Sequence, residues 1–220
     1  MAFIFKNRAD AGRQLAARLQ HYAGRADVTV LALPRGGVPV GYEVAHALGV
    51  ELDVLIVRKL GVPGHPELAM GAIASGGASY LNKDVIQYEN VSRAQLDHEF
   101  NAESLELKRR ERAYRGNRAP LDVTGRVIIV VDDGVATGST ICAAVKALRM
   151  RQPAQIVVAV PVAPRVAAGR ILSVADQFVC LHSPSVFLAV GQFYADFDQT
   201  SDDEVRALLT EPEHVHREIA

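Results

Sequence analysis

The stretch from Val127 to Thr140 constrains the fold of this chain more than any other part of its sequence. It begins with five β-branched residues, Val127–Val131, which are followed at once by Asp132 and Asp133. An unbroken run of this kind predicts a strand buried on both faces, as in a parallel sheet. The two carboxylates then fall at the carboxyl end of that strand, where open α/β sheets bind their ligands.

The loop after the acids, Gly-Val-Ala-Thr-Gly-Ser-Thr, consists mainly of small residues and leads into an apolar helix. Small residues let main-chain N–H groups approach an anion, and the helix adds its positive N-terminus. Carboxylates beside a phosphate loop predict a sugar phosphate, whose hydroxyls meet the acids. The alternative is an ordinary turn with an Asp-Asp cap, but capping requires only one acid. A Walker A loop is excluded because no Gly-Lys-Ser/Thr closes it.

This stretch closely resembles the motif that binds 5-phosphoribosyl 1-diphosphate (PRPP) in type I phosphoribosyltransferases, which is a hydrophobic strand, two acids and a loop ending Thr-Gly-x-Thr. The resemblance implies an α/β fold in which helices flank a parallel sheet, with a flexible loop, a helical insertion and a small hood. It also implies Mg²⁺-dependent transfer of phosphoribose from PRPP to a nitrogenous base, with release of diphosphate. Asp132 and Asp133 would bind the ribose hydroxyls, directly or through Mg²⁺. The residues implied to hold the 5-phosphate are Ala136, Thr137, Gly138, Ser139 and Thr140.

Composition sets the broad class of the protein. The 220 residues suffice for one α/β domain spanning 1–220, and 49% hydrophobic residues favour a packed core over disorder. A net charge of −1 argues against a nucleic-acid partner. Because no apolar run could cross a bilayer and no signal-peptide pattern is present, we expect a cytoplasmic protein without a membrane association. Cys142 and Cys180 stand far apart in apolar surroundings and are expected to be core thiols. A homodimer is expected, because dimers are the commonest oligomers.

Strand and helix patterns alternate along the chain, which predicts right-handed βαβ units around a parallel sheet. The predicted strands are 28–33, 52–57, 127–131, 154–160 and 177–181, with a hairpin formed by 70–74 and 79–81. The predicted helices are 7–22, 38–48, 92–114, 140–150, 165–172 and 202–209, the first capped by Asn7 and the last by Thr200 or Ser201.

A second candidate anion site follows the first predicted strand, in the sequence Leu33-Pro-Arg-Gly-Gly37. Arg35 offers a planar fork for phosphate, and Gly36 and Gly37 permit close approach of the main chain. Alone this could be an ordinary turn. Together with the acid motif it resembles the diphosphate loop of type I phosphoribosyltransferases, which often carries a non-proline cis peptide. The resemblance places such a peptide near Arg35 and Gly36.

Two cations, Arg58 and Lys59, follow the next buried run, and His65 lies in the Gly/Pro loop beyond them. An exposed cation pair after a strand is common and needs no function. The family resemblance implies that a basic residue here contacts diphosphate, which makes Lys59 a candidate catalytic residue. Arg58 and His65 are candidate diphosphate ligands, His65 as a mobile donor to the leaving group.

Residues 60–118 occupy the position of the family's flexible catalytic loop and include a long, highly charged helical segment. In the family this loop closes over the ligand and excludes water. Glu67, Arg93 and Arg109 are candidates to reach the site on closure, and the sequence does not choose among them. The other charges of the helix are expected to face solvent, beside a narrow apolar stripe of Leu96, Phe100, Leu105 and Leu107.

The segment 182–220 is the predicted hood, and its part from Val186 to Phe197 loosely resembles the base-binding hood of purine phosphoribosyltransferases. Phe187 is the candidate for stacking on the base, with Asp196 as a second base-binding residue and Phe193 and Tyr194 nearby. The alternative is that these aromatic residues fill the core.

The acceptor of phosphoribose stays open, because Ala136 stands where hypoxanthine-guanine enzymes carry an acid. A 6-oxopurine enzyme that works through that acid is therefore not favoured. Two other functions remain open at this stage. One is a non-catalytic sensor of PRPP or nucleotides with the same fold. The other is a phosphatase or phosphorylase that acts on a phosphorylated sugar.

Overall fold

A five-stranded parallel sheet organises the chain, and the computed structural model describes residues 5–210. The strand order is β2-β1-β6-β7-β8, and each neighbouring pair is parallel. The strands of this sheet are β1 (Val28–Ala32), β2 (Glu51–Val54), β6 (Val127–Val131), β7 (Gln155–Val162) and β8 (Gln177–His182). The α/β fold expected from the alternating pattern is confirmed.

Helices cover both faces of this sheet because its central strands are apolar on both sides. The helices against the large sheet are α1 (Arg8–Arg18), α2 (Gly37–Leu48), α5 (Ser139–Arg149) and α6 (Arg165–Leu172). Leu15 of α1 and Leu48 of α2 pack with Ile129 on one face. Ile141 of α5 and Ile171 of α6 pack with Ile128 on the other face.

A small antiparallel sheet lies beside the large one in the order β3-β4-β5. Its strands are β3 (Val57–Val62), β4 (His65–Ala74) and β5 (Ala78–Leu81), so the predicted hairpin is confirmed. The predicted strand 52–57 was wrong at its end, because β2 stops at Val54 and Val57 already belongs to β3. The segment then continues with two helices, α3 (Lys83–Tyr88) and α4 (Arg93–Arg115), of which α3 was not predicted.

The long helix α4 starts with a capping box between Ser92 and Gln95. Leu96 and Leu107 are buried against the small sheet, as predicted. The placement of Leu105 in the same stripe was wrong, since its side chain is 71% exposed. Residues two positions apart on a helix point in very different directions, so Leu105 and Leu107 cannot share one narrow face.

Helix α1 lies unusually close to α2 at Gly12. A Cβ atom at Gly12 would lie 2.7 Å from the Cβ of Glu43 and 2.8 Å from the carbonyl oxygen of Val40. The start of α1 is fixed by Asn7, whose side chain accepts the N–H of Asp10. Together these two contacts set where the first turn of α1 points.

The chain after β8 packs against residues at its other end. Phe5 donates its N–H to the carbonyl oxygen of Phe193 at 2.7 Å and forms a bridge with Tyr194. The last described helix, α7 (Asp202–Thr210), begins after Ser201, whose hydroxyl accepts the N–H of Glu204 at 3.1 Å. Residues 211–220 of the predicted hood lie outside the described part of the chain.

Candidate functional site

The two loops predicted to bind anions meet at the carboxyl edge of the parallel sheet. Strands β1 and β6 are neighbours in register, with Ala32 opposite Val131. The N–H of Leu33 extends this pairing by donating to the carbonyl oxygen of Val131 at 2.9 Å. The loop containing Arg35 therefore lies directly beside Asp132 and Asp133, although about a hundred residues separate them in sequence.

Gly36 and Gly37 are what allows this close approach. A Cβ at Gly36 would lie 2.0 Å from Oδ2 of Asp133, and one at Gly37 would lie 2.9 Å from the Cα of Asp132. Neither position has room for a side chain, so the glycines are required by packing. The peptide bond between Pro34 and Arg35 is cis, which confirms the position expected for it.

The two acids lie together and are largely shielded from water. Asp132 accepts the N–H of Asp133 at Oδ1, at 2.9 Å. Burial raises the pKa of Asp132 well above its ordinary value, and the charge of Asp133 raises it further. Burial also raises the pKa of Asp133, although the neighbouring Arg8 opposes this effect. A cation bound beside the two carboxyl groups would favour their ionised form and so oppose these pKa shifts.

Arg8, which was not predicted from the sequence, also lies at these acids. Its Nε donates to Oδ2 of Asp133 at 2.8 Å, and its guanidinium carbon lies 3.9 Å from the centre of the Phe197 ring. Tyr194 also reaches Asp133, by donating its hydroxyl to the carbonyl oxygen. No local pattern could have revealed Arg8, because its partner is 125 positions away and its helix is otherwise ordinary.

The predicted phosphate loop opens α5 as expected. Gly138 has a φ of 80°, a conformation that favours glycine, and the helix begins at the next residue. The hydroxyl of Thr137 donates to Oγ of Ser139 at 3.1 Å and accepts the Ser139 N–H at 3.3 Å. Ala136 and Thr140 are exposed like Thr137 and Ser139, so the loop is open to a ligand.

The same loop is covered at its start by the segment after β8. A Cβ at Gly134 would lie 2.5 Å from Cγ1 of Val190, so this position too has no room for a side chain. Further along the loop, Arg170 of α6 donates to the carbonyl oxygen of Thr137 at 3.4 Å. Arg170 is a cation next to the phosphate loop that sequence reasoning did not identify.

Arg35 extends from the glycine loop toward the start of α7. Its Nη1 lies 3.7 Å from Oδ1 of Asp202, which also accepts the hydroxyl of Tyr114 at 2.9 Å. The side chain of Arg35 is 40% exposed, and its ion pair is long. Arg35 is thus positioned at the edge of the site by a contact that a stronger anion could replace.

Arg58 and Lys59 both lie inside β3 and not after the end of a strand. Arg58 forms a two-pronged ion pair with Glu103 of α4, and this hydrogen bonding raises the pKa of Arg58. Lys59 projects from the opposite side of β3, the side on which Val57 packs against the core under α5. The structure therefore separates the two cations and leaves Lys59 on the side of the phosphate-loop helix.

The other candidate residues of the segment 60–118 have their contacts away from Asp132 and Asp133. His65 is exposed and lines a shallow cavity of about 370 Å³ with Leu68 and Glu89. Arg93 pairs with Asp97 at 2.9 Å and Arg109 with Glu106 at 2.7 Å, both on α4 itself. The side chain of Glu67 lies outside the described part of the chain.

Aromatic residues after β8 divide between core and surface. Phe193 and Tyr194 are buried, which bears out the core interpretation for these two. Phe187 is half-buried and packs on Phe193, with ring centres 5.4 Å apart. Asp196 is exposed, and its carboxylate accepts the N–H of Asp198 at 3.3 Å. Phe187 thus keeps one part of its surface open, as a stacking residue would.

The acid pair can serve as part of a magnesium site. Among residues 5–210, no three His, Cys, Asp or Glu side chains form a group that could hold a metal by themselves. Mg²⁺ commonly binds to one or two carboxylates and takes its other ligands from substrate phosphates and water. Asp132 and Asp133 fit that donor set, provided that a phosphorylated ligand completes it.

The two cysteines are placed as expected for thiols at the core. Cys142 and Cys180 are free, half-buried thiols packed against the core, and burial raises the pKa of both. None of the helices in the described ranges combines the length and hydrophobicity needed to span a bilayer.

Residues 4–198 match the model of the family described as the phosphoribosyl transferase domain. This chain belongs to the phosphoribosyl transferase family. The matched range includes the acid pair, the glycine loop and the phosphate loop, so the resemblance seen in one short motif extends over most of the chain.

Relatives of the family support this assignment. The chain is 48% identical over 217 residues to a Mycobacterium tuberculosis protein named "Putative phosphoribosyl transferase", covering 99% of this chain and 48% of that protein. The chain therefore spans about half the length of the curated relatives it matches. The crystal structure of TT1426 from Thermus thermophilus superposes with a TM-score of 0.86 at 41% identity, covering 94% of this chain and 98% of that one.

A more distant structure shows the fold alone. It is a hypothetical protein from Neisseria gonorrhoeae with bound ppGpp, which matches with a TM-score of 0.50 at 13% identity. It covers 95% of this chain and 97% of that one.

Proposed function

We propose that this phosphoribosyl transferase family member is a Mg²⁺-dependent enzyme that transfers phosphoribose from PRPP to a nitrogenous base and releases diphosphate. The observation that carries the proposal is the packing of Gly36 and Gly37 against Asp132 and Asp133 at one sheet edge. This packing brings the two loops that we propose to bind anions next to the same carboxylate pair. PRPP has the same order of groups, with a phosphate and a diphosphate on either side of ribose hydroxyls.

The 5-phosphate binds to the loop from Ala136 to Thr140. Main-chain N–H groups at the start of α5 and the hydroxyls of Thr137, Ser139 and Thr140 are its donors. The exposure of these hydroxyls supports the assignment, as does the conformation of Gly138. Asp132 and Asp133 accept hydrogen bonds from the ribose hydroxyls and so fix the sugar between the two loops.

The diphosphate binds at the other loop. Main-chain groups of Gly36 and Gly37 approach it, Arg35 turns from Asp202 toward it, and Lys59 supplies charge from β3. Arg58 is held by Glu103 and is left out of this set. His65 stays a candidate donor to the leaving group, because its exposed position on the insertion allows it to move.

Asp132 and Asp133 would be the protein's ligands to Mg²⁺ at this site, directly or through water. When bound, Mg²⁺ would neutralise the charge of ribose and diphosphate oxygens as the bond between them breaks. The chain's own contribution is to hold PRPP in place and to stabilise the cationic sugar carbon with the nearby carboxylates.

The acceptor base is proposed to bind beside the segment after β8. Phe187 stacks on it and Asp196 is a second candidate contact, because both keep exposed surface while Phe193 and Tyr194 are buried. Ala136 disfavours a 6-oxopurine that depends on an acid at this position.

Thermal unfolding with ligand tests the proposal directly. PRPP with Mg²⁺ should raise the melting temperature of the unmodified protein, because a ligand that binds only the folded state stabilises it. The double variant Asp132→Asn and Asp133→Asn should lose this shift. Asp27→Asn is the matched control, since the side chain of Asp27 forms an exposed pair with Arg25. The absence of a shift in the unmodified protein would count against the proposal.

Turnover separates an enzyme from a sensor. Diphosphate release from PRPP should be measured across a panel of purine and pyrimidine bases, and release with one base supports the transferase. Binding of PRPP without release for any base would favour the non-catalytic sensor. Because the Neisseria neighbour has bound ppGpp, that nucleotide is included as a competing ligand.

A further inference from the structure

Arg8 forms an ion pair that differs in burial from others on its own helix. The side chains of Arg8 and Asp133 are only 13% and 15% exposed, with a distance of 2.8 Å between Nε and Oδ2. Five residues along α1, Arg13 pairs with Glu43 at 3.0 Å, but the side chain of Arg13 is 57% exposed. An exposed pair of that kind contributes little, whereas a buried one holds its partners in a defined geometry.

Three contacts fix the direction of the Arg8 guanidinium. Beside its bond to Asp133, Arg8 donates from Nη1 to the carbonyl oxygen of Asp198 at 2.6 Å and stacks on Phe197 at 3.9 Å. The Phe197 ring in turn depends on Gly191, where a Cβ would lie 2.8 Å from Cδ1 of the ring. The segment after β8 therefore positions Arg8 before any ligand arrives.

Arg8 engages one particular oxygen of Asp133. The bond is to Oδ2, the oxygen that faces Gly36, and a Cβ at Gly36 would lie 3.3 Å from Nε of Arg8. Tyr194 holds the main chain of the same residue through its carbonyl oxygen. With Oδ2 and the main chain both held, the direction of Oδ1 is fixed as well.

We infer that Arg8 is a positioning residue, which aims Oδ1 of Asp133 at a ribose hydroxyl and offsets the repulsion between Asp132 and Asp133. The inference rests on the proposed function, because it requires that the acids bind the sugar. It gives the two acids different roles. Asp133 is set in place by Arg8, whereas Asp132 is restrained through the main-chain N–H next to it.

The inference makes a selective prediction about ligands. Arg8→Gln should weaken binding of ribose 5-phosphate and of PRPP about tenfold or more, because a charge-assisted contact that orients the acid is lost. Binding of diphosphate measured without Mg²⁺, which uses the glycine loop and not the acid pair, should stay within about twofold. Arg8→Lys keeps the charge but loses the planar fork, and should fall between the two. Arg13→Gln is the matched control and should change none of the three affinities.

Titration calorimetry with these three ligands tests the inference, and a second variant keeps the test valid if Arg8→Gln folds poorly. In an Asp133→Asn background, where the carboxylate that pairs with Arg8 is already gone, Arg8→Gln should cause no further loss of ribose 5-phosphate affinity. Equal losses of affinity for all three ligands, or no loss for any of them, would overturn the role given to Arg8 but leave the proposed function standing. Failure of the unmodified protein to bind PRPP would overturn the proposed function, and this inference with it.

Discussion

At the carboxyl edge of the parallel sheet, charged side chains lie beside glycines and main-chain N–H groups, whereas Arg58 and Arg115 of the small sheet and α4 are held in ion pairs. Asp132 and Asp133 share the edge with two glycine-bearing loops. In the insertion, Arg58 pairs with Glu103, and Arg115 pairs with Glu111 and with Asp53 of β2. The same residue types therefore serve as open binding groups in one region and as internal structural pairs in the other.

Two properties separate charged side chains that can bind a ligand from those that stabilise the fold. A charge whose partner is within about 3 Å, and that has no glycine-only position beside it, is occupied in holding helix and sheet together. A charge next to a position that admits only glycine lies where the main chain has been brought close to something else. If this division holds, replacing a structural charge should lower stability, and replacing a binding charge should lower ligand affinity.

Replacing Arg115 should have the largest effect on stability. Its side chain is 3% exposed, pairs with Asp53 at 2.8 Å and also donates to the carbonyl oxygen of Val54. Arg115→Met leaves a buried carboxylate without its partner and should lower the free energy of unfolding by about 3–5 kcal/mol. Urea denaturation measures this, with the exposed Arg112→Met as control. A loss below about 1 kcal/mol would show that the pair is not structural.

Gly36→Ala should affect the binding edge more than the fold as a whole. The added Cβ would collide with the carboxylate of Asp133, and forced repacking of this kind costs about 1–3 kcal/mol. We expect this loss mainly in PRPP affinity, measured by calorimetry. Gly169→Ala is the contrasting variant, since a Cβ there meets nothing within 4 Å and should stabilise α6 by about 0.5–1 kcal/mol. Unchanged PRPP affinity in Gly36→Ala would contradict the role given to this loop.

The neighbouring cations Arg58 and Lys59 provide a matched pair. Arg58→Gln removes the pair with Glu103 and should cost up to about 1 kcal/mol of stability, with unchanged diphosphate affinity. Lys59→Gln should do the reverse, lowering diphosphate affinity about tenfold at unchanged stability. Thermal unfolding and competition with diphosphate distinguish the two. The division between structural and binding charges fails here if both variants behave alike.

The smallest expected effect concerns the surface of α4. Hydrogen bonds from Arg109 and then Arg110 lower the pKa of Glu106 from 4.5 to about 2. Because the pKa is lower in the folded state, this contribution to stability is present above about pH 4.5 and is lost as pH falls toward 2. The melting temperatures of the unmodified protein and of Glu106→Gln should therefore differ above pH 5 and converge near pH 2. A constant difference across this range would contradict the assignment.

Much of the fold followed from the sequence because its signals are local. The run from Val127 to Val131 could only be a buried strand, and the loop after it had the residues of a phosphate site. The exit from β2 was harder to predict, because Leu55 and Ile56 continue the apolar run while the chain changes sheets. Helix α3 was missed because it has only six residues and none is fully buried, so no apolar periodicity marks it, although Val85 and Ile86 pack in part against the core.

The site itself was predicted in part for the same reason. Gly36, Gly37 and the acids lie in short motifs, and their meeting follows from the order of strands. Arg8 depends on contacts with residues more than a hundred positions away, which no spacing encodes. The separation of Arg58 from Lys59 depends on strand alternation in β3, which became clear only once the start of that strand was known.

The close packing of α1 on α2 at Gly12 has a consequence for how this chain can vary. Successive residues of a helix are rotated by about 100°, so inserting or deleting one residue between Arg8 and Gly12 would turn Arg8 away from Asp133. Such a change would leave composition, charge and helix propensity almost unaltered. We therefore expect the number of residues between these two positions to be the same in homologous chains that keep the contact of Arg8 with Asp133.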